Sequence, residues 1–216
     1  MKLLLASVLI LASFRLFAGE WELVSTKDDI RIYSKSLPTS QIKSLKAIGV
    51  VKASIGKVTS ILRNVDAATK WIPRLKERSH VENISDSEAI LFEINEMPWP
   101  VQDRDLVVHH KLELSEDKKY LVLNFKSVDH TSKPRSSDRV RAQFHHGRLK
   151  FIPFGEFTKI ELEVLVDPMG SIPKWVVNIL QISMPYEFIK SLDEFAGKSS
   201  LSTPPGIQKL INQLEP

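Results

Sequence analysis

The feature of this sequence that most constrains its fold is a long series of alternating segments between residues 78 and 167. Apolar and polar residues alternate there with a period of two, which is typical of β-strands with one buried face. The links at residues 115–118 and 153–155 are as short as hairpin turns, so neighbouring strands should run antiparallel. We predict six strands, at residues 78–84, 88–96, 104–114, 119–130, 139–152 and 156–167.

Two proline-containing segments interrupt this series, MPWPVQD at residues 97–103 and TSKPRSSD at residues 131–138. Because proline cannot donate a hydrogen bond to a β-ladder, both are predicted to be loops. Within residues 139–152 the apolar phase shifts, and a β-bulge near Gly147 would account for the shift.

The segment before residue 78 contains both strands and helices. Strands are predicted at residues 21–25, 30–34 and 43–51. Ser54 is a suitable N-cap for a helix that continues through Arg63. A second short helix is predicted from Asp66 and must end before Pro73, since the residue before a proline disfavours the helical conformation.

The C-terminal part of the chain predicts one long helix. A wide apolar stripe extends from Ile172 to Phe195, with Ser171 as the expected N-cap, Pro185 as the expected cause of a kink and Gly197 as the expected end. The remaining residues, 198–216, have loop composition and one predicted terminal turn at residues 207–214.

The N-terminal segment has the composition of a signal peptide. Lys2 is basic, residues 3–14 are apolar, and the small residues Ala18 and Gly19 follow. The apolar run ends before Arg15, well short of the roughly 20 residues that a membrane-spanning helix needs. We therefore expect residues 1–18 to be a signal peptide and the protein to be periplasmic or secreted, with an uncleaved anchor as the alternative.

Composition excludes several classes of function. The 216 residues suit one domain, and the chain has no cysteine, which excludes disulfides and thiolate metal sites. Removing Lys2 and Arg15 from the 30 basic residues leaves a small excess over the 26 acidic ones. This charge is too small and too dispersed to indicate a nucleic-acid partner.

The order of elements is three strands, two helices, six strands and one long helix, which indicates an α+β fold. A curved antiparallel sheet around the C-terminal helix would leave an interior that is either filled or open to a ligand. Periodicity alone does not decide between a filled core and a cavity.

Two motifs carry a family resemblance. PWPVQDRDLVV at residues 98–108 and DPMGSIPKWVVN at residues 167–178 resemble the signature stretches of START domains, the steroidogenic-acute-regulatory-related lipid-transfer family. The resemblance covers residues 20–197 and implies a helix-grip fold with an internal hydrophobic cavity. It further implies a monomer that carries one lipid without chemistry, touches membranes transiently, and opens through a gate formed by residues 97–103 and the C-terminal helix.

From this resemblance we expect no catalytic residue, metal or cofactor, and a cavity of about 300 to 1,000 Å³, the usual scale of ligand sites. Sterol-binding members often place an acid and an arginine in the tunnel. The corresponding positions, near Leu91 and His110, hold neither, so a sterol is not favoured over other lipids. The gate and cavity are expected to include Trp99, Pro100, Arg104, His110, Phe125, Phe144, Trp175, Ile179, Met184 and Phe188.

Other interpretations of these residues remain open. Arg104 and Asp105 either meet a headgroup or form ion pairs that tie a loop to the sheet, and strand alternation lets only one of them face inward. The paired histidines His109–His110 and His145–His146 could bind zinc or transfer protons, but no HExxH spacing occurs, which favours a role as polar lining or surface. An enzyme of the polyketide cyclase or aromatase kind on the same scaffold would need His110 as its acid–base group. A third alternative is a filled core that acts in an assembly.

Overall fold

The structure, a computed structural model, describes residues 19–37 and 42–215; the predicted signal peptide lies outside the described residues. The strands are β1 (Glu22–Lys27), β2 (Ile30–Lys35), β3 (Ser44–Val51), β4 (Leu75–Ser85), β5 (Glu88–Asn95), β6 (Arg104–Leu114), β7 (Leu121–Ser127), β8 (Val140–Arg141), β9 (Gln143–Phe154) and β10 (Phe157–Asp167). The helices are α1 (Ile55–Arg63), α2 (Val65–Ala68), α3 (Lys174–Asn178), α4 (Met184–Ala196) and α5 (Pro205–Ile211). A π-helical segment, Ile179–Ser183, joins α3 to α4.

The strands form one curved sheet in the order β1-β2-β3-β10-β9-β7-β6-β5-β4, and the short β8 pairs with β6 outside this order. Strands that follow each other in this order are antiparallel, as predicted from the short links. Because β3 pairs with β10, the third strand and the last strand of the chain are neighbours within the sheet. The predicted α+β helix-grip fold is confirmed, with the sheet curving around the C-terminal helix.

The six predicted strands from residue 78 onward are present, with one difference. The segment predicted as a single strand at residues 139–152 is divided into β8 and β9. Its first residues pair with β6 instead, since the Val140 N–H donates to the Asp103 carbonyl at 3.0 Å and the Ala142 N–H donates to the Asp105 carbonyl at 3.0 Å. The predicted bulge lies close by, at His145, where the register of β9 against β10 shifts.

The predicted N-cap of α1 is present, and a second cap that was not predicted follows it. Ser54 Oγ accepts a hydrogen bond from the Lys57 N–H at 3.4 Å and begins α1. Asn64 ends α1, and its side chain accepts a hydrogen bond from the Ala67 N–H at 2.7 Å, which starts α2. A buried residue after α2, Trp71, packs its ring against Phe188 of α4 at a centroid distance of 5.4 Å. The two short helices and α4 therefore enclose one common core.

The long C-terminal helix differs from the prediction at its beginning and in its middle. It begins at Lys174 after Pro173, and no side chain caps it, so the expected Ser171 cap is wrong. A π-helical turn, Ile179–Ser183, precedes Pro185, while the kink predicted there stays a prediction. Because proline has no N–H to donate to the preceding turn, a wider π-helical turn at this place loses no hydrogen bond from that residue. The helix ends before Gly197, as predicted.

The segment after Gly197 has more structure than its composition indicates. Helix α5 places Ile207 in the main core, where its side chain is 1% exposed. The Gly206 N–H donates to Asp86 Oδ2 at 2.7 Å, and the Glu215 N–H donates to the Lys118 carbonyl at 2.9 Å. The segment therefore fastens two hairpin turns to the core. Across residues 19–37 and 42–215, no helix is long and apolar enough to cross a membrane.

Candidate ligand cavity

A cavity of about 230 Å³, partly open to solvent, lies between the sheet and α4. Its walls come from both layers of the fold and are mainly apolar. The lining residues are Leu45, Leu62, Ile72, Pro73, Arg78, Glu93, Asn95, Met97, Arg104, Leu106, His110, Leu123, Phe125, Ala142, Phe144, Leu149, Leu162, Val164, Val166, Pro168, Leu180, Met184, Pro185 and Phe188. The volume is below the expected 300 to 1,000 Å³, so that expectation is wrong for this conformation.

A charged pair interrupts the apolar lining. Arg78 and Glu93 face each other on the neighbouring strands β4 and β5, and Arg78 Nη2 lies 2.7 Å from Glu93 Oε1. The two side chains are only 8% and 9% exposed. Arg78 Nε is buried and has no hydrogen-bond partner. The expectation that this tunnel lacks an acid–arginine pair is therefore wrong, because adjacent strands place one here at other positions.

His110 lies in the same part of the cavity. Its ring stacks on Phe125 at a centroid distance of 5.6 Å. Burial, together with the positive charge of Arg78, lowers the pKa of His110 to about 3. The imidazole is therefore neutral at physiological pH and offers one hydrogen-bond donor and one acceptor. Phe125 can occupy this position because residue 147 is a glycine. A Cβ on residue 147 would overlap the Phe125 ring.

The loop at residues 97–103, which we call the gate loop, closes one end of the sheet. Asp103 holds both of its ends: its carboxylate accepts a hydrogen bond from the Met97 N–H at 3.0 Å and one from Lys76 Nζ at 2.8 Å. Burial raises the pKa of Asp103, but these two hydrogen bonds outweigh it and the net pKa is lowered. The side chain of Trp99 at the tip of the loop is 89% exposed.

Arg104 follows the gate loop and faces inward, whereas Asp105 faces the opposite side of the sheet. Asp105 forms a buried ion pair with Arg141, with Arg141 Nε 2.7 Å from Asp105 Oδ1. The Arg104 guanidinium is also buried, but its hydrogen bonds are to main-chain carbonyls. The ion-pair interpretation is confirmed for Asp105, and Arg104 is the residue of the two that lines the cavity; its contact with a headgroup stays a prediction.

The structure brings six of the ten expected site residues into the cavity wall. These are Arg104, His110, Phe125, Phe144, Met184 and Phe188. The other four lie elsewhere. Trp99 is exposed, Pro100 lines a groove on the outside of the gate loop, Trp175 is 46% exposed, and Ile179 is half-buried outside the cavity lining.

Sequence reasoning missed Arg78, Glu93 and Asn95. A signal for Glu93 exists, because it is the only acid within the apolar run AILFEIN at residues 89–95. Arg78 had no such signal, since its orientation depends on the bulged register of β4 against β5. Within the described part of the chain, no group of three or more His, Asp or Glu side chains is arranged to hold a metal ion.

The chain matches a known family along most of its length. The model of the START domain family matches residues 14–201. An uncharacterized protein of Pseudomonas aeruginosa is 28% identical over 182 residues, which are 84% of this chain and 89% of that protein. The phosphatidylcholine transfer protein of Bos taurus is 24% identical over 167 residues, 76% of this chain and 78% of that protein.

Solved structures show the same fold. The STAR-related lipid transfer protein of Xanthomonas axonopodis superposes with a TM-score of 0.72 at 24% identity, covering 82% of this chain and 98% of the other. The Zhui aromatase/cyclase of Streptomyces sp. R1128 shares the fold more distantly, with a TM-score of 0.50 at 10% identity, over 73% of this chain and 95% of the other. The fold is therefore common to lipid-transfer proteins and to an aromatase/cyclase.

Proposed function

The chain belongs to the START domain family, and we propose that it binds one lipid or other hydrophobic molecule in its internal cavity and carries it between membranes without chemical change. The observation that supports this most directly is an apolar cavity that contains one buried polar cluster, formed by Arg78, Glu93 and His110. Such a combination suits an amphiphile, with its hydrocarbon against the apolar walls and its polar group at the cluster.

The polar cluster has unused hydrogen-bonding capacity. Arg78 Nε is buried and has no hydrogen-bond partner. Buried polar groups are normally hydrogen-bonded, and leaving one unpaired costs about 1–3 kcal/mol. A hydroxyl, carbonyl or phosphate oxygen of the ligand would supply the missing partner.

The cavity must widen to hold a whole lipid, because about 230 Å³ accommodates only part of one. The π-helical turn before Pro185 is the weakest part of the cavity's helical wall, since both features reduce regular helical hydrogen bonding. We propose that this turn and the gate loop move apart when ligand enters.

The exposed Trp99 supports transient contact with a membrane at the gate. Tryptophan is the residue most favoured at membrane–water interfaces, because its ring is apolar and its N–H is polar. Here Trp99 is 89% exposed in the gate loop, whose first residue, Met97, lines the cavity. Release and uptake of ligand would then take place directly at the bilayer surface.

The absence of chemistry is also part of the proposal. An enzyme on this scaffold would use His110, and a general base works best when its pKa lies near the working pH. The pKa of His110 is lowered to about 3 by burial, which makes the imidazole a very weak base. Export through the N-terminal signal peptide and a monomeric state are likewise proposed.

Transfer of fluorescent lipid between donor and acceptor vesicles tests the proposed function. The protein should accelerate transfer in proportion to its concentration, and His110→Ala should alter the rate without abolishing it. If no lipid class is transferred or taken up, the carrier proposal fails. If a product chemically different from the supplied lipid accumulates and His110→Ala stops it, the enzyme alternative is correct.

A further inference from the structure

Arg104 lies where two pockets of the structure meet. It lines the cavity, and it also lines a groove of about 490 Å³ beside the gate loop. The groove is bounded by residues 100–102 of the gate loop, by Val140 and by residues 170–173 of the segment leading to α3. We call residues 168–173 the connector. The Arg104 side chain itself is almost fully buried, at 4% exposure of the residue.

The guanidinium of Arg104 joins the two segments that bound this groove. Nη1 donates to the Gln102 carbonyl of the gate loop at 2.5 Å. Nε donates to the Pro168 carbonyl at 3.0 Å, and Nη2 donates to the Met169 carbonyl at 2.9 Å, both in the connector. These three hydrogen bonds are the link that the Arg104 side chain makes between the gate loop and the connector.

The positive charge of Arg104 has no carboxylate bound to it. Of the neighbouring acids, Asp103 is paired with Lys76 at 2.8 Å and Asp105 with Arg141 at 2.7 Å. The carboxylate of Asp167 accepts a hydrogen bond from the Met169 N–H at 2.7 Å. Glu93, further along the cavity, is paired with Arg78 at 2.7 Å. Burial lowers the pKa of Arg104, with the charge of Asp103 opposing this effect. A buried charge without a counter-ion is costly, and an anion relieves that cost.

The hydrogen-bonding capacity of Arg104 is also incomplete. A guanidinium has five N–H donors, and three of them are used by the carbonyls. One N–H on each terminal nitrogen has no partner among the described residues. Two oxygens of a phosphate or carboxylate are the natural partners of two such donors, and charge-assisted bonds of this kind are stronger than those to neutral carbonyls.

We propose that Arg104 binds the anionic headgroup of an incoming lipid, a phosphate or a carboxylate, at the mouth of the cavity. The headgroup binds the two unused donors first and then competes with the carbonyls for the other N–H groups of the guanidinium, which separates the gate loop from the connector and opens the route past Arg104. Because the anion binds the open arrangement better than the closed one, it shifts the population toward the open one. This inference rests on the proposed carrier function and adds a preference for anionic amphiphiles.

Uptake of two matched pairs of probes tests the inference. The first pair is phosphatidic acid and diacylglycerol with the same acyl chains, and the second is oleic acid and oleyl alcohol. All four are offered together in one population of phosphatidylcholine vesicles, so that every probe is taken up from the same surface. For the full-length mature protein, we expect uptake of the anionic member of at least one pair to exceed that of the neutral member about tenfold, the equivalent of one charge-assisted hydrogen bond. The pair that shows the preference identifies the headgroup.

The variant Arg104→Gln removes the charge, and Arg31→Gln, at an exposed position of β2, is the matched control. We expect Arg104→Gln to bring the ratio of anionic to neutral uptake close to one, and we expect Arg31→Gln to keep the wild-type ratio. If the Gln variant does not fold, Arg104→Lys serves instead, and it should lower the ratio several-fold because an ammonium cannot replace the planar fork.

Three results would overturn the inference: equal wild-type uptake within both pairs, an unchanged ratio in folded Arg104→Gln, or an unchanged ratio in the Lys variant when it is the one used. Failure to take up any of the four probes would instead refute the carrier function itself. The two failures are therefore distinguishable.

Discussion

Arg78 Nη2 and Glu93 Oε1 lie 2.7 Å apart across the strands β4 and β5, in the wall of a mainly apolar cavity. The cost of burying two charges is offset here only by their mutual attraction and their hydrogen bonds. The pair is thus a polar site that is neutral overall, adjacent to the neutral imidazole of His110.

Removing one partner of this pair should destabilise the fold strongly. For Arg78→Met we expect a loss of about 3–5 kcal/mol in the free energy of unfolding, since the Glu93 carboxylate then remains buried and unpaired. The double variant Arg78→Met with Glu93→Leu should recover most of this loss but should bind less of a polar-headed lipid. Urea unfolding measures the first effect and lipid uptake the second.

The matched control is an exposed pair on β6, Lys111 and Glu113, at 2.7 Å. Glu113→Gln should change the free energy of unfolding by less than about 1 kcal/mol, because exposed ion pairs contribute little. If Arg78→Met were as mild as this control, the pair would not be the buried polar site described above.

Much of the fold follows from the sequence, because the period-two pattern and the short links specify antiparallel neighbours directly. The features that escaped prediction depend on contacts distant in sequence. The division of residues 139–152 results from pairing with β6, and the orientation of Arg78 results from a bulged ladder. Helix α5 is a similar case, since Ile207 is buried by partners that are remote in sequence.

The candidate site shows the same limits. Alternation along β6 correctly predicts that only one of Arg104 and Asp105 faces inward. It does not indicate which of the two does so. Apolar character placed Phe188 and Trp175 in the same stripe, yet Phe188 lines the cavity and Trp175 is largely exposed. The apolar stripe of a helix can extend beyond the part of the helix that is buried. Composition does not show where along the stripe the burial ends.

His110 should make the protein less stable in mild acid. Its pKa is lowered to about 3 in the folded state, whereas the unfolded chain takes up the proton near pH 6.5. Between these two values the unfolded state binds more protons, so stability falls as pH falls, by up to about 1.4 kcal/mol per pH unit from this group. Urea midpoints from pH 7 to pH 4 should therefore fall more steeply for the wild type than for His110→Gln. Replacement of the exposed His146 by Gln should leave the wild-type slope unchanged.

Trp99 should matter for membrane contact and not for folding. Because its side chain is 89% exposed, Trp99→Ala should leave the thermal midpoint unchanged, and vesicle binding should weaken several-fold through loss of apolar contact with the bilayer. Phe154→Ala is the control, since Phe154 is exposed at the far end of β9 from the gate loop. Equal losses of vesicle binding in a flotation assay would show that the gate loop has no special role.

Helix α5 should be required for full stability, although it lies beyond the residues matched by the family model. Ile207→Ala should cost about 2–5 kcal/mol, as expected for a large apolar side chain removed from a core. Lys209→Ala on the exposed side of the same helix should change stability by less than about 0.5 kcal/mol. Similar unfolding midpoints for the two variants would mean that α5 does not belong to the cooperative core.

The central claim is that the cavity holds one lipid or other hydrophobic molecule. Native mass spectrometry of the mature protein, purified without detergent and again after incubation with mixed vesicles, tests this most directly. We predict a population heavier than the polypeptide by the mass of one lipid, which extraction with organic solvent removes. A spectrum with only the polypeptide mass under both conditions would contradict the claim.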